Sequence, residues 1–193
     1  MSISIDVLFT CMKIITAPEE YSLQSDEIGC FLAGGITDCP NWQVEVISNF
    51  KKYDQKFSNE LNGLVLFNPR RENFPISDPN AAQEQIEWEF KWLQRMDLFS
   101  MFFTAGRSDQ PICMYELGRN ICRMMQRFPN DYQNQILISC DPNYRRSQDV
   151  KIQVELAFSA NENKLAPTLI KKADPLIHMY EIIRQFKIAK GLI

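Results

Sequence analysis

Glu116 is the side chain whose setting most directly points to chemistry. It lies in the string Gln110–Arg119, between the apolar run from Leu98 to Thr104 and a stretch with helical spacing. We expect Glu116 in the first turn of that helix, where the helix dipole favours an ionised carboxylate and keeps it a usable nucleophile at neutral pH. A glutamate at a helix start also stabilises the helix without chemistry, so both roles stay open at this point.

Glu89 is the second carboxylate of interest. At about 100° per residue, it lies at the flank of an apolar stripe formed by Ile86, Phe90 and Leu93, whereas Trp88 points elsewhere. A carboxylate at such an edge is either paired in a salt bridge or lines a cleft. In a cleft, partial desolvation would raise its pKa and suit it to donate a proton.

Two further segments follow apolar runs and could bind a ligand. In the first, Gly34 and Gly35 would let backbone amides approach a phosphate or sugar, although a Gly-Gly pair is also common in ordinary turns. In the second, Asn68–Arg71, Arg70 could pair bidentately with phosphate or carboxylate. The alternative for that loop is a solvated surface with an ion pair.

The elements that must position these residues follow an alternating order. Five apolar runs predict buried strands: Ile5 to Phe9 or its continuation to Ile15, Ile28 to Ala33, Leu64 to Phe67, Leu98 to Thr104, and Gln135 to Ser139. Helical spacing predicts helices after Pro40, after Pro79, from about Met114 until Pro129, and after Pro175. The order predicts a parallel sheet covered on both faces, with ligands bound beyond the carboxyl ends of the strands.

Bulk properties narrow the functional class. The 193 residues, 45% of them hydrophobic, fit one domain spanning residues 1–193. A net charge of -3 and a pI near 5.3 argue against a nucleic-acid partner. No cysteine pair has zinc-site spacing, and neither a signal peptide nor an apolar run of membrane-spanning length is visible. We therefore expect a soluble cytoplasmic protein without a metal, a membrane partner or a nucleic-acid partner.

Several enzyme classes lack their motifs in this chain. The only histidine, His178, lies on the last amphipathic helix, where a helix-packing or solvent role outweighs catalysis and leaves no catalytic triad. No Walker pattern and no G-x-G-x-x-G pattern occur, so kinase and dinucleotide cofactor chemistry are not indicated. We expect no cofactor.

Four ordered motifs resemble the nucleoside 2-deoxyribosyltransferase-like family. They are Phe31–Gln43, Asn68–Arg71, Gln85–Glu89 and Tyr115–Arg119. The resemblance implies a Rossmann-like or flavodoxin-like three-layer α/β sandwich with a mostly parallel five-stranded sheet, usually in a homo-oligomer of two or more copies. It also implies relatives that transfer 2-deoxyribose between bases or hydrolyse nucleoside monophosphates.

The resemblance assigns roles to individual residues. Glu116 matches the nucleophilic glutamate, and Glu89 matches a position where relatives carry an assisting aspartate. Phe31 stands where several relatives have a tyrosine, and Gln110 stands where they have another polar residue, so those two contacts differ here. The substrate-binding residues implied are Phe31, Gly34, Gly35, Ile36, Asn68, Arg70, Tyr115 and Gly118.

The implied reaction is cleavage or transfer of the N-glycosidic bond of a nucleoside or nucleotide. Glu116 would attack C1′ of the sugar, Glu89 or Asp109 would protonate the departing base, and a second base or water would complete a double displacement. Arg70 with the glycine amides would favour a 5′-phosphate. Two alternatives remain open: a non-catalytic nucleotide sensor of the same fold, and an oligomeric scaffold with a relict cleft.

Overall fold

The computed structural model describes residues 12–57, 59–159 and 167–193. The predicted strand from Ile5 to Phe9 lies outside these ranges, whereas its continuation toward Ile15 corresponds to the first observed strand. Among the described residues, no helix combines the length and the apolar character needed to cross a bilayer.

Six parallel strands form one sheet with helices between most of them. In chain order the elements are β1 (Lys13–Thr16), β2 (Ile28–Gly34), α1 (Trp42–Lys56), β3 (Leu64–Asn68), α2 (Ala81–Arg95), β4 (Leu98–Phe103), α3 (Pro111–Arg127), α4 (Tyr132–Gln135), β5 (Ile136–Cys140), α5 (Ser147–Ser159), β6 (Thr168–Ile170) and α6 (Pro175–Ala189). The predicted α/β class with a parallel sheet is confirmed. The sheet has six strands rather than five because the three-residue, partly buried β6 carries too weak an apolar signal.

The strand order creates a switch point between β2 and β4. The order across the sheet is β1-β3-β2-β4-β5-β6, and every neighbouring pair is parallel. From β2 the chain first moves to β3 on one side and then crosses to β4 on the other, as in the flavodoxin-like strand order. Loops leaving β2 and β4 therefore diverge and open a crevice at the carboxyl end of the sheet.

Alternating side chains of the strands build a core on each face. In β2, Phe31 and Ala33 face the core formed with α2, α3 and α5, whereas Cys30 and Leu32 face the core formed with α1 and α6. Burial on both faces explains why the strands read as nearly continuous apolar runs. The two carboxylates identified from the sequence lie on α2 and α3, on the same face of the sheet.

The predicted buried stripe of α2 is confirmed at Leu93, which is fully buried, and was wrong at Ile86 and Phe90. Ile86 and Phe90 are 64% and 50% exposed, whereas Trp88 and Trp92 are buried at 3% and 1%. The two indoles bury more apolar area than Ile86 and Phe90 would, and Trp92 stacks on Phe67 with ring centroids 4.1 Å apart. Because Trp88 faces the sheet, the next residue, Glu89, is half-buried at the edge of the packed face of α2.

His178 is fully buried and has a packing role. Its Nε2 lies 2.7 Å from Ser100 Oγ and its Nδ1 lies 2.8 Å from Ser139 Oγ. Burial lowers the pKa of the imidazole to about 3, so the ring is neutral at physiological pH. Of the two roles left open by the sequence, the structure shows helix packing: the ring joins α6 to β4 and β5.

Candidate functional site

A cavity of about 340 Å³ opens at the switch point, between the loops that leave β2 and β4. Its size and position are those of a small-molecule site in an open α/β sheet. The lining residues are Phe31, Ala33, Gly34, Gly35, Ile36, Thr37, Pro69, Glu89, Ser108, Gln110, Pro111, Ile112, Cys113 and Glu116.

Glu116 lies in this cavity, but not in the first turn of its helix. Because α3 begins at Pro111, the carboxylate belongs to the second turn, and the first turn contains no acidic residue. The expectation that the helix dipole keeps Glu116 ionised is therefore wrong. Burial, together with the charge of Glu89, raises the pKa of Glu116 to about 7, although the charge of Arg119 opposes the shift.

Glu89 faces the same cavity from α2. Burial raises the pKa of Glu89, while a hydrogen bond from Gln85 Nε2 to its Oε1 (2.7 Å) and the charge of Arg71 oppose the shift. A raised pKa favours the protonated form of Glu89, which is the form that a proton donor needs. Two like-charged carboxylates in one desolvated space favour the state in which they hold a single proton between them.

The two glycines at the end of β2, Gly34 and Gly35, are needed because other parts of the chain approach them closely. A Cβ on Gly34 would lie 2.3 Å from the backbone oxygen of Phe102, and one on Gly35 would lie 2.5 Å from Cys39 Sγ. The Gly35 amide donates to Gln110 Oε1 at 3.1 Å. The Gly35 amide, which the sequence suggested for a phosphate or sugar, is therefore already paired within the protein.

Arg70 and Asn68 lie beside the cavity without lining it. The Arg70 guanidinium donates to the backbone oxygens of Pro40 (2.8 Å) and Cys39 (3.1 Å) and to Gln43 Oε1 (3.3 Å). The Asn68 side chain binds the Arg70 backbone through both its amide oxygen and its amide nitrogen. The guanidinium contacts hold the loop that precedes α1, so the side chain suggested as a phosphate ligand already has a structural role.

Three other predicted site residues also fall outside the cavity. The Asp109 carboxylate accepts a hydrogen bond from Arg145 Nε on the outer surface. Tyr115 is 65% exposed, with the Arg119 guanidinium over its ring. Gly118 faces a groove between α3 and α5. The structure therefore brings together Glu116, Glu89, Phe31, Gly34, Gly35 and Ile36, and leaves Asn68, Arg70, Asp109, Tyr115 and Gly118 outside.

Ser108 and Cys113 line the cavity but were not singled out as site residues from the sequence. Ser108 Oγ accepts from the Gln110 amide at 3.0 Å, which leaves its hydroxyl proton free for a ligand. Cys113 precedes Glu116 by three residues on one helical face, and this spacing was the available signal. Burial raises the pKa of the Cys113 thiol to about 12. The thiol therefore stays protonated and forms part of the cavity wall rather than acting as a nucleophile.

The charged residues that line the cavity are all acidic. Glu89 and Glu116 are the charged residues among those that line it, set against apolar walls that include Phe31 and Ile36. Within the described ranges, no donor is hydrogen-bonded to the Glu116 carboxylate, and Phe31 offers no hydroxyl. Such a site can stabilise positive charge that develops at a sugar carbon while one of the carboxyls supplies a proton.

Comparison with known proteins agrees with this geometry. A sequence model of the family described as nucleoside 2-deoxyribosyltransferase like matches residues 27–127, just over half of the chain. The matched segment runs from the residue before β2 to the end of α3 and so contains both cavity carboxylates. Comparison with curated proteins gave no match. The chain belongs to the nucleoside 2-deoxyribosyltransferase-like family.

Proposed function

We propose that the protein cleaves or transfers the N-glycosidic bond of a nucleoside, with Glu116 as the nucleophile and Glu89 as the proton donor. The observation that carries the proposal is the meeting of two desolvated carboxylates in one apolar cavity at the switch point of the sheet. Both residues lie within the segment that matches the family.

In the first step, a carboxylate oxygen of ionised Glu116 forms a bond to C1′ of the sugar. The bond between C1′ and the base nitrogen breaks, and its electron pair leaves with the base. Protonated Glu89 transfers its proton to the base and becomes a carboxylate. The raised pKa values of the pair keep one proton in the cavity near neutral pH, and the reactive form is the one in which this shared proton is on Glu89.

In the second step, a nitrogen of another base or the oxygen of water attacks C1′ of the glycosyl-enzyme. The bond from C1′ to Glu116 breaks, its electron pair returns to the carboxylate, and the proton of the attacking group passes to Glu89. Two displacements restore the original anomeric configuration. A base as acceptor makes the enzyme a transferase, and water makes it a hydrolase.

We further propose that the preferred substrate is an uncharged nucleoside rather than its 5′-monophosphate. No lysine or arginine is among the residues that line the cavity, and a phosphate there would face two carboxylates. Arg70, which the sequence suggested as the phosphate ligand, already donates to Cys39, Pro40 and Gln43. The Ser108 hydroxyl is a neutral donor suited to a sugar hydroxyl.

The test combines turnover with detection of the intermediate. The pure protein is incubated with a panel of deoxynucleosides and their monophosphates, with and without an acceptor base, and free base is measured. Brief exposure to a 2-fluoro-2-deoxyriboside should add one sugar mass on Glu116, whereas Glu116→Gln should gain none. Glu87→Gln, an exposed glutamate of α2, is the matched control and should keep the adduct. Nucleoside binding without base release or adduct would favour the non-catalytic sensor.

We also propose that the protein self-associates, as the family resemblance implies. Large apolar side chains on α2 and α3 remain at least half exposed, namely Ile86, Phe90, Ile112 and Tyr115. Light scattering coupled to size-exclusion chromatography should give a mass above 22.5 kDa for the wild type. A monomer at tens of micromolar would contradict self-association and would leave the proposed chemistry intact.

A further inference from the structure

Gln110 occupies an unusual position at the start of the helix that carries Glu116. It is the N-cap residue of α3, is buried at 3%, and adopts the left-handed conformation with φ 52° and ψ 51°. Non-glycine residues rarely adopt this conformation, and they keep it only where surrounding contacts enforce it. Its side chain does not cap the helix, which is the usual use of a polar N-cap residue.

The Gln110 side chain instead connects the two loops of the switch point. Its Oε1 accepts from the Gly35 amide at 3.1 Å, and its Nε2 donates to the backbone oxygen of Thr104 at 2.7 Å. Both bonds are buried, which makes them costly to lose. Its backbone carbonyl meanwhile accepts from the Met114 amide at 3.1 Å and so begins the helical hydrogen bonding of α3.

Gly35, which Gln110 contacts, is also fixed by a second hydrogen bond from another element. Trp42 Nε1 donates to the Gly35 carbonyl at 3.2 Å, so that the two polar backbone groups of Gly35 are fixed by different elements. A Cβ on Gly35 would lie only 2.6 Å from Gln110 Oε1. The side chain of Gln110 thus fits the space left by the missing side chain of Gly35.

We propose that Gln110 is a positioning residue that fixes α3 against the Gly35 wall of the cavity and thereby holds Glu116 opposite Glu89. The expected effect of Gln110 on the rate rests on the proposed glycosyl chemistry, whereas its structural role does not. Glu116 lies six residues beyond Gln110 on the same rigid helix, so a shift or rotation of the helix start moves the carboxylate with it. A displacement of about 1 Å from reacting geometry can lower a rate by about 100-fold.

The main variant is Gln110→Met, which keeps the side-chain volume and removes both amide hydrogen bonds. We expect kcat to fall by about 100-fold while KM changes by less than about threefold, because the other residues that line the cavity stay in place while the nucleophile moves. Gln126→Ala, at an exposed position of α3, is the control and should keep both constants. Gln110→Glu retains the acceptor for Gly35, so a smaller loss of kcat is expected, and this variant carries the test if Gln110→Met does not fold.

Two measurements separate this proposal from the proposed reaction. Hydrogen exchange of the Gly35 amide should accelerate at least tenfold in Gln110→Met, and carbon NMR should show the Glu116 pKa moving down toward its ordinary value as solvent reaches the carboxylate. If the wild type releases no base but both changes occur, the reaction is refuted and the positioning role stands. If Gln110→Met keeps a protected Gly35 amide, an unshifted Glu116 pKa and wild-type kcat, the positioning role is overturned.

Discussion

Two titratable residues with pKa values shifted by burial lie on opposite faces of the same sheet: His178 is fully buried and Glu116 is half-buried. His178, between α6 and the sheet, has a serine hydroxyl at hydrogen-bond distance from each ring nitrogen. Glu116, on the other face, lines an open cavity with no hydrogen-bond donor to its carboxylate among the described residues. A buried group whose partners are all supplied by the protein serves the fold, whereas one left short of partners beside a cavity is available to a ligand.

The two residues also affect stability in opposite directions as the pH changes. Burial depresses the pKa of His178 to about 3, so stability falls when the pH drops below about 6.5 and the unfolded chain takes up a proton. Burial raises the pKa of Glu116 to about 7, so stability falls when the pH rises above about 4.5 and the unfolded chain releases one. The predictions below test this contrast.

The largest expected effect is loss of turnover in Glu116→Gln. The amide keeps the shape of the side chain but cannot form the glycosyl-enzyme, so kcat should fall at least 1000-fold, as is common when a nucleophile is removed. Base release in a single-turnover assay measures this loss. The His178→Gln variant, studied at a temperature where it remains folded, should keep kcat within about threefold. A comparable loss in both variants would remove the distinction between the two residues.

The second effect is loss of stability in His178→Ala. The substitution leaves a cavity between α6 and the sheet and leaves the Ser100 and Ser139 hydroxyls without their partner, at a cost of about 3 kcal/mol. Urea unfolding at pH 7.5 measures the change in the free energy of unfolding. A change below about 1 kcal/mol would mean that the two serine contacts contribute little to attaching α6.

The third effect is a gain in stability in Glu116→Gln above pH 7. Between pH 4.5 and about 7 the folded wild type holds a proton that the unfolded chain has released, and above about pH 7 the folded chain carries an ionised carboxylate in a half-buried position. The neutral amide carries no charge there, so the variant should be more stable by about 1–3 kcal/mol at pH 8 and nearly equal to the wild type at pH 4.5. Urea unfolding at both pH values measures it, and equal stability at pH 8 would show that Glu116 is well solvated.

The sequence predicted the fold and the pair of carboxylates because these depend on local patterns. Apolar runs located the parallel strands, and the motif order located Glu89 and Glu116. The orientation of α2 was missed because two competing stripes were available, and the packing of Trp88 and Trp92 on the sheet decided between them. No local pattern reports such long-range packing.

Two groups predicted to bind a ligand, the Arg70 guanidinium and the Gly35 amide, already have hydrogen-bond partners within the protein. The sequence places Arg70 and the Gly35 amide at the ends of strands, which is the correct edge of the sheet. It does not show that Arg70 binds the loop before α1 or that Gln110 binds Gly35. Hydrogen bonds between residues about 30 and 75 positions apart decide these roles. A motif therefore predicted proximity to the cavity better than it predicted which groups remain free to bind a ligand.

The smallest expected effect is that of Arg70→Ala, which separates a structural arginine from a phosphate ligand. Losing the bonds to Pro40, Cys39 and Gln43 should lower the free energy of unfolding by about 1 kcal/mol, since the guanidinium is partly solvated. The ratio of kcat/KM for a deoxynucleoside to that for its 5′-monophosphate should stay within about twofold of wild type. A selective loss of monophosphate turnover would instead assign Arg70 to the substrate, because the loop it holds would then have to open to release the guanidinium.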